Sequence, residues 1–167
     1  MFKQRHLALY IVLTCFISTL FAEIGAYGYS ILTHSPYTNW ADLGLWVESI
    51  AHGHLYSPKN LLIQTNSYDY ILGLSVHCLV AIIFALMYIL YLKYILKTNP
   101  TLINGLIFGL ILTVFPLFCE LPSMGLGIMG INSSGPLLVF CRVIIYHACF
   151  GLGLGAGGIL TLRCAGK

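Results

Sequence analysis

Residues 118–154, FCELPSMGLGIMGINSSGPLLVFCRVIIYHACFGLGL, decide what kind of chain this is. The stretch closes one apolar run at Glu120, crosses a segment rich in glycine and poor in helix formers, and enters a second apolar run carrying Arg142 and His147. Irregular backbone at membrane depth is tolerated only where it is buried in protein or lines a cavity. The segment from Leu121 to Gly135 is therefore expected to be re-entrant or cap-like, set between two spanning helices.

The composition around it agrees. Of 167 residues, 59% are hydrophobic and 8% charged, with a mean hydropathy of +0.90. Soluble domains carry roughly 25% charged residues, so the class is an all-α integral membrane bundle, and the length fits a single membrane domain over residues 1–167. The net charge of +3 is dispersed and forms no basic stripe, which excludes nucleic acid as a partner. Six cysteines occur without a C-x-x-C pair, so neither a thioredoxin-like motif nor a zinc ribbon is supported. Most lie in apolar runs, where cysteine packs as a small hydrophobe. Cys119 and Cys141 flank the glycine-rich segment and could form a disulfide across spans three and four; the sequence leaves that pairing open.

Hydropathy and punctuation divide the chain into four spans, at about 7–32, 70–96, 102–119 and 136–162. The first is read as a retained helix, because its apolar run is long for a signal peptide and Leu20-Phe21-Ala22 fits a cleavage site poorly. Asn99-Pro100 turns the chain between spans two and three, Pro116 predicts a kink in span three, and Pro136 suits the first turn of span four. Between the first two spans, residues 39–50 form a short helix. Asn39 caps it, Asp42 favours its positive end, and Trp40, Leu43, Trp46, Val47 and Ile50 make one apolar stripe. It is too short to cross a bilayer, which takes roughly 20 residues. It is expected to lie in the interface plane or to pack on the end of the bundle.

Lysine and arginine give the orientation. Lys3, Arg5, Lys93, Lys97, Arg163 and Lys167 fall on one side of the four spans; Lys59 and Arg142 fall on the other. Both termini are therefore expected in the cytoplasm, with the Trp-bearing helix and the glycine-rich segment facing outward. A helix rises about 1.5 Å per residue, and on that scale Glu23, His77, Glu120, Arg142 and His147 share the outer half of the bundle. Ionisable groups inside spans are costly and face the bundle interior or a wet cavity. Two readings stand side by side: a polar site, or helix contacts in which Arg142 pairs with Glu120 or Glu23 and each histidine bonds a carbonyl or hydroxyl.

Glycines mark the packing faces. Gly105 and Gly109 on span three, with Gly151, Gly153, Gly155, Gly157 and Gly158 on span four, give small-xxx-small surfaces that let backbones approach closely. Such faces serve either packing within the chain or a homo-oligomer.

Three blocks resemble an uncharacterised family of small bacterial four-span membrane proteins, classed as a domain of unknown function. Leu43-Gly44-Leu45-Trp46, followed by Gly53, resembles its Leu-Gly-Arg-Trp block, with Leu45 in place of arginine. Residues 73–85, GLSVHCLVAIIFA, resemble a Gly-Trp-x-x-His-Tyr block in which His77 matches, while Leu74 and Cys78 depart from the aromatics. From Pro122 onward, Gly125, Gly127, Arg142, His147, Phe150, Gly151 and Gly153 match the third and most specific block. The resemblance implies a four-span fold in a bacterial inner membrane and supplies no activity to carry over.

The sequence supports three classes of function. The first is a non-enzymatic membrane protein with a transporter-like or assembly role in the lipid bilayer, and no cofactor is predicted for it. The second is a metal or haem site using His77 and His147, with Glu23 or Glu120 as oxygen ligands and His52-x-His54 as a weaker signal. The third is an enzyme acting on a lipid or quinone, with His147 or Glu120 as general base.

Overall fold

The computed structural model describes residues 7–37, 39–56 and 65–165. Lys3, Arg5, Lys59, Lys167 and the side chain of Cys164 lie outside the described residues. The helices are α1 (Leu7–Thr33), α2 (Trp40–Ala51), α3 (Ser67–Leu90), α4 (Leu102–Leu112), a single turn α5 (Leu121–Ser123) and α6 (Pro136–Ala165). No strand occurs among the described residues. Four stretches are long and apolar enough to cross a membrane: Ala8–Thr33, Ser67–Leu96, Leu102–Ser123 and Pro136–Arg163. Their outward faces carry large apolar side chains such as Val12, Phe16, Ile71, Ile95, Ile103 and Ile111. Only a lipid phase covers so much exposed apolar surface without cost, and the protein is a multi-pass membrane protein.

Helix α6 is the centre of the bundle. It makes its most extensive contact with α1 and its next with α4. Both contacts are built on glycine, on different faces. Towards α4, a Cβ on Gly109 would land on the His147 carbonyl oxygen and lie 2.7 Å from the Gly151 Cα; one on Gly155 would sit 2.8 Å from the Leu102 Cα. Towards α1, a Cβ on Gly157 would sit 2.8 Å from the Thr14 Cα, and one on Gly153 would meet the Ser18 Cα. The expected small-residue faces are thus filled within the chain. Gly158 likewise packs against Pro100 and Tyr10. Between these seams lies the core of Ala22, Ala81, Ala85, Tyr88, Leu92, Phe108, Leu112, Phe150 and Leu154.

Helix α2 does not stand alone in an interface plane. It packs along the start of α3, with Gly44 against the Asp69 carbonyl and Gly73 against the Trp40 carbonyl. Its buried residues are Trp40, Ala41, Gly44 and Leu45, so the buried edge is rotated from the predicted stripe, which keeps only Trp40 on it. The Asn39 side chain accepts from the Ala41 N–H, as the cap predicted. Helix α3 starts at Ser67 rather than 70: the Asn66 side chain accepts from the Tyr68 and Asp69 N–H groups, and Asp69 accepts from the Asn66 N–H at 2.8 Å. That reciprocal box satisfies donors at the helix end.

Span three departs from a simple proline kink. Helix α4 ends at Leu112, with the Thr113 hydroxyl donating to the Leu110 carbonyl, and the chain resumes as a π-helix over Pro116–Glu120. Pro116 has no N–H to offer the preceding turn. The wider π turn shifts the register of the residues beyond it, and the helix runs on through α5, past the Cys119 expected from sequence.

Replacing Gly109 with valine forces the third and fourth spans apart, with an expected loss of about 1–3 kcal/mol. Gly28→Ala, where an added Cβ meets nothing within 4 Å, should leave stability unchanged or slightly improved. Thermal unfolding of the detergent-purified variants reads both; equal midpoints for G109V and the parent would show that the seam is not close-packed.

Candidate functional site

Above the glycine seams, α6 presents Val139, Arg142, Val143, Tyr146, His147 and Phe150 at spacings of three and four residues, which puts them on one face. Helix α3 opposes this face with Val76, His77, Val80, Ala81 and Phe84, again at helical spacing. These side chains are too bulky to let the helices close as they do at the glycines. The result is a cavity of about 580 Å³. Trp40, Asp42, Leu43 and Trp46 of α2 line it, as do Phe115, Pro116 and Glu120 of span three and Met124 and Leu126 of the glycine-rich segment.

That segment behaves as the cap the sequence suggested, without re-entering the bundle as a hairpin. Gly125, Gly127 and Gly130 take φ of 81°, 74° and 78°, a region that suits glycine, and they fold the chain over the cavity through α5 and a short 3-10 turn at Ile128–Gly130. The Trp46 indole donates to the Ser123 hydroxyl at 2.8 Å, and Ser123 donates to the Leu55 carbonyl. The cap, α2 and the loop after it are therefore tied together.

Four of the five residues singled out from sequence, His77, Glu120, Arg142 and His147, line this one cavity. Glu23 does not; it lies behind Tyr146. The Tyr146 hydroxyl is 3.0 Å from His77 Nε2 and donates to Glu23 Oε1 at 3.4 Å, while His77 and Glu23 approach to 4.0 Å. Tyr37 donates to the other Glu23 oxygen. Trp40 covers the His77 ring, with centroids 4.1 Å apart and planes inclined by 30°. His147 donates from Nδ1 to the Val143 carbonyl at 2.9 Å, which leaves Nε2 as its remaining polar atom. Both histidines thus have the carbonyl or hydroxyl partner that a packing role requires, and both still line the cavity.

Arg142 behaves differently from its predicted packing role. Among the described residues it forms no ion pair with Glu120 or Glu23: Glu23 is held by tyrosines, and the carboxylate of Glu120 likewise has no ion-pair partner. The cavity therefore contains a guanidinium and a carboxylate that do not neutralise one another by contact. Asp42 adds a second carboxylate at the α2 side; burial pushes its carboxyl above the usual range, and the Asn39 amide pulls it back. The disulfide between Cys119 and Cys141 is absent. Both are free thiols, Cys119 on the exposed face of the π segment and Cys141 half-buried.

No group of three or more His, Cys, Asp or Glu side chains among the described residues is gathered for an ion. His52, one of the paired histidines outside the spans, instead uses Nδ1 to bond the Glu48 carbonyl at the end of α2. Sequence reasoning missed Trp40, Asp42 and Tyr146 as site residues. The spacing of Tyr146 from Arg142, Val143, His147 and Phe150 was the available signal, hidden because tyrosine also belongs in an apolar run.

Residues 12–161 match a family model described as a protein of unknown function, DUF2938. The chain belongs to this family. No curated protein and no solved structure matches it.

Tyr146→Phe removes the hydroxyl shared by His77 and Glu23 without changing the ring. Interhelical hydrogen bonds in membranes are worth about 1 kcal/mol, so a modest fall in thermal midpoint is expected in detergent, with the helical circular dichroism unchanged. An unaltered midpoint would show that the hydroxyl does not bridge α1, α3 and α6.

Proposed function

We propose that the protein is a multi-pass protein of a bacterial inner membrane that binds a small amphipathic molecule in the cavity beneath α2, in a non-enzymatic, transporter-like role. One observation carries the reading: His77, Glu120, Arg142 and His147 converge on a single cavity of about 580 Å³ whose walls are otherwise mainly apolar. Ligand pockets run from roughly 300 to 1,000 Å³, with apolar walls and a few placed polar groups. Helices joined only for packing exclude such a volume. We further propose that both termini are cytoplasmic and that the cavity opens in the outer half of the bilayer, because Lys93, Lys97 and Arg163 collect at the opposite end from Arg142. Binding is favoured over catalysis because no serine, threonine or cysteine lines the cavity as a nucleophile, and the Tyr146 hydroxyl is held between His77 and Glu23.

Native mass spectrometry of the detergent-purified protein tests the binding. The parent should carry a retained small molecule, and Val80→Trp or Leu126→Trp, which fill the cavity from opposite sides, should lose it. A parent with no adduct, or one equally retained by both filled variants, would overturn the proposal. Alkaline phosphatase fused after Tyr56 should be active and fused after Lys167 inactive; the reverse pattern would invert the orientation.

A further inference from the structure

We infer that the cavity selects a phospholipid with a zwitterionic headgroup, a phosphate diester joined to an ammonium. This inference rests on the binding role proposed above and names the class of ligand. The argument is one of charge. Arg142 and the two carboxylates Glu120 and Asp42 line one cavity, and neither acid forms an ion pair with Arg142 among the described residues. Charges left apart in a low-dielectric cavity are costly unless a partner compensates each one. A neutral quinone compensates none of them. A purely anionic amphiphile satisfies Arg142 and brings a like charge beside Glu120 and Asp42, while a cationic one does the reverse. A zwitterion serves both signs.

The residue chemistry fits each half. The guanidinium fork matches the oxygens of a phosphate diester in a two-point contact. An ammonium donates to carboxylates and is also attracted to indole faces, and Trp40 and Trp46 stand on the same helix as Asp42. Phe84 and Phe115 supply apolar wall for the first part of the acyl chains. Lipid rather than a soluble phosphate compound is the occupant, because most of the lining is apolar and a headgroup alone leaves that surface wet.

The test is titration of the detergent-purified protein, read by native mass spectrometry, with phosphatidylethanolamine and phosphatidylglycerol of identical acyl chains, a long-chain quinone, and glycerophosphoethanolamine, which has the headgroup without chains. The parent should prefer phosphatidylethanolamine to phosphatidylglycerol by about tenfold, the value of one hydrogen bond to a charged group. Arg142→Gln should weaken both phospholipids, and Arg142→Lys should recover part of that loss. Glu120→Gln should remove the preference while sparing phosphatidylglycerol. Where that variant does not fold, Asp42→Asn reads the same preference. Equal binding of the two phospholipids by the parent, stronger binding of the quinone, competition by glycerophosphoethanolamine as strong as by the lipid, or a preference untouched by E120Q and D42N would each overturn the inference. Binding of some other class defeats this inference alone; binding of nothing defeats the proposed function itself.

Discussion

The structure depends on how closely α6 can approach its neighbours. Lipid tails are as apolar as leucine, so hydrophobic burial does little to hold spans together and van der Waals contact does much. Glycine makes that contact possible on two faces of one helix: Gly151 and Gly155 against α4, Gly153 and Gly157 against α1. Four glycines of one helix thus fix three spans. The close approach ends where the glycines end, at His147, and from there towards Pro136 the same helix carries valine, arginine, tyrosine and histidine. A helix pinned at one half and propped at the other leaves a wedge of space, and that wedge is the cavity.

Filling the wedge from outside is the task of α2 and the cap. A further glycine pair, Gly44 and Gly73, brings α2 onto α3, and the Trp46–Ser123–Leu55 chain fastens it to the cap. The short helix is therefore a wall of the cavity as well as an amphipathic element at the bundle end. Its tryptophans face protein in part: Trp40 is buried on His77, and the Trp46 indole has a protein acceptor.

Most of the architecture was legible in the sequence because membrane folding obeys few rules. Span length, proline and asparagine punctuation, and small-residue spacing located the four helices and both seams of α6. The depth rule grouped His77, Glu120, Arg142 and His147, and all four line the one cavity. What could not be read was anything set by azimuth between helices. Glu23 shares the depth of the others, yet faces Tyr146 and Tyr37 rather than the cavity, and no periodicity within α1 distinguishes those outcomes. The buried edge of α2 was misjudged for a related reason: a helix that docks by glycine buries its smallest residues, Ala41 and Gly44, whereas a hydrophobic stripe points to its largest. The π turn at Pro116–Glu120 was also invisible, since proline announces a break without saying how the chain resumes.

The polar residues now divide into two groups, and the division bears on what the cavity is for. Glu23, Tyr146 and His77 satisfy one another across three helices, and His147 satisfies Nδ1 on its own helix. These contacts are what packing alone would select. Arg142 and Glu120 are the opposite case. They have complementary charge and share one cavity, yet they form no ion pair. If stability were the only constraint, closing that pair or replacing both half-buried residues with apolar ones would be favoured, since a charge without a partner in an apolar-walled site is costly. Phe115, Tyr146 and Phe150 line the same cavity, and Glu120 closes the π segment. Opposite charges that share apolar walls without an ion pair are what the proposed binding role accounts for and what packing alone does not.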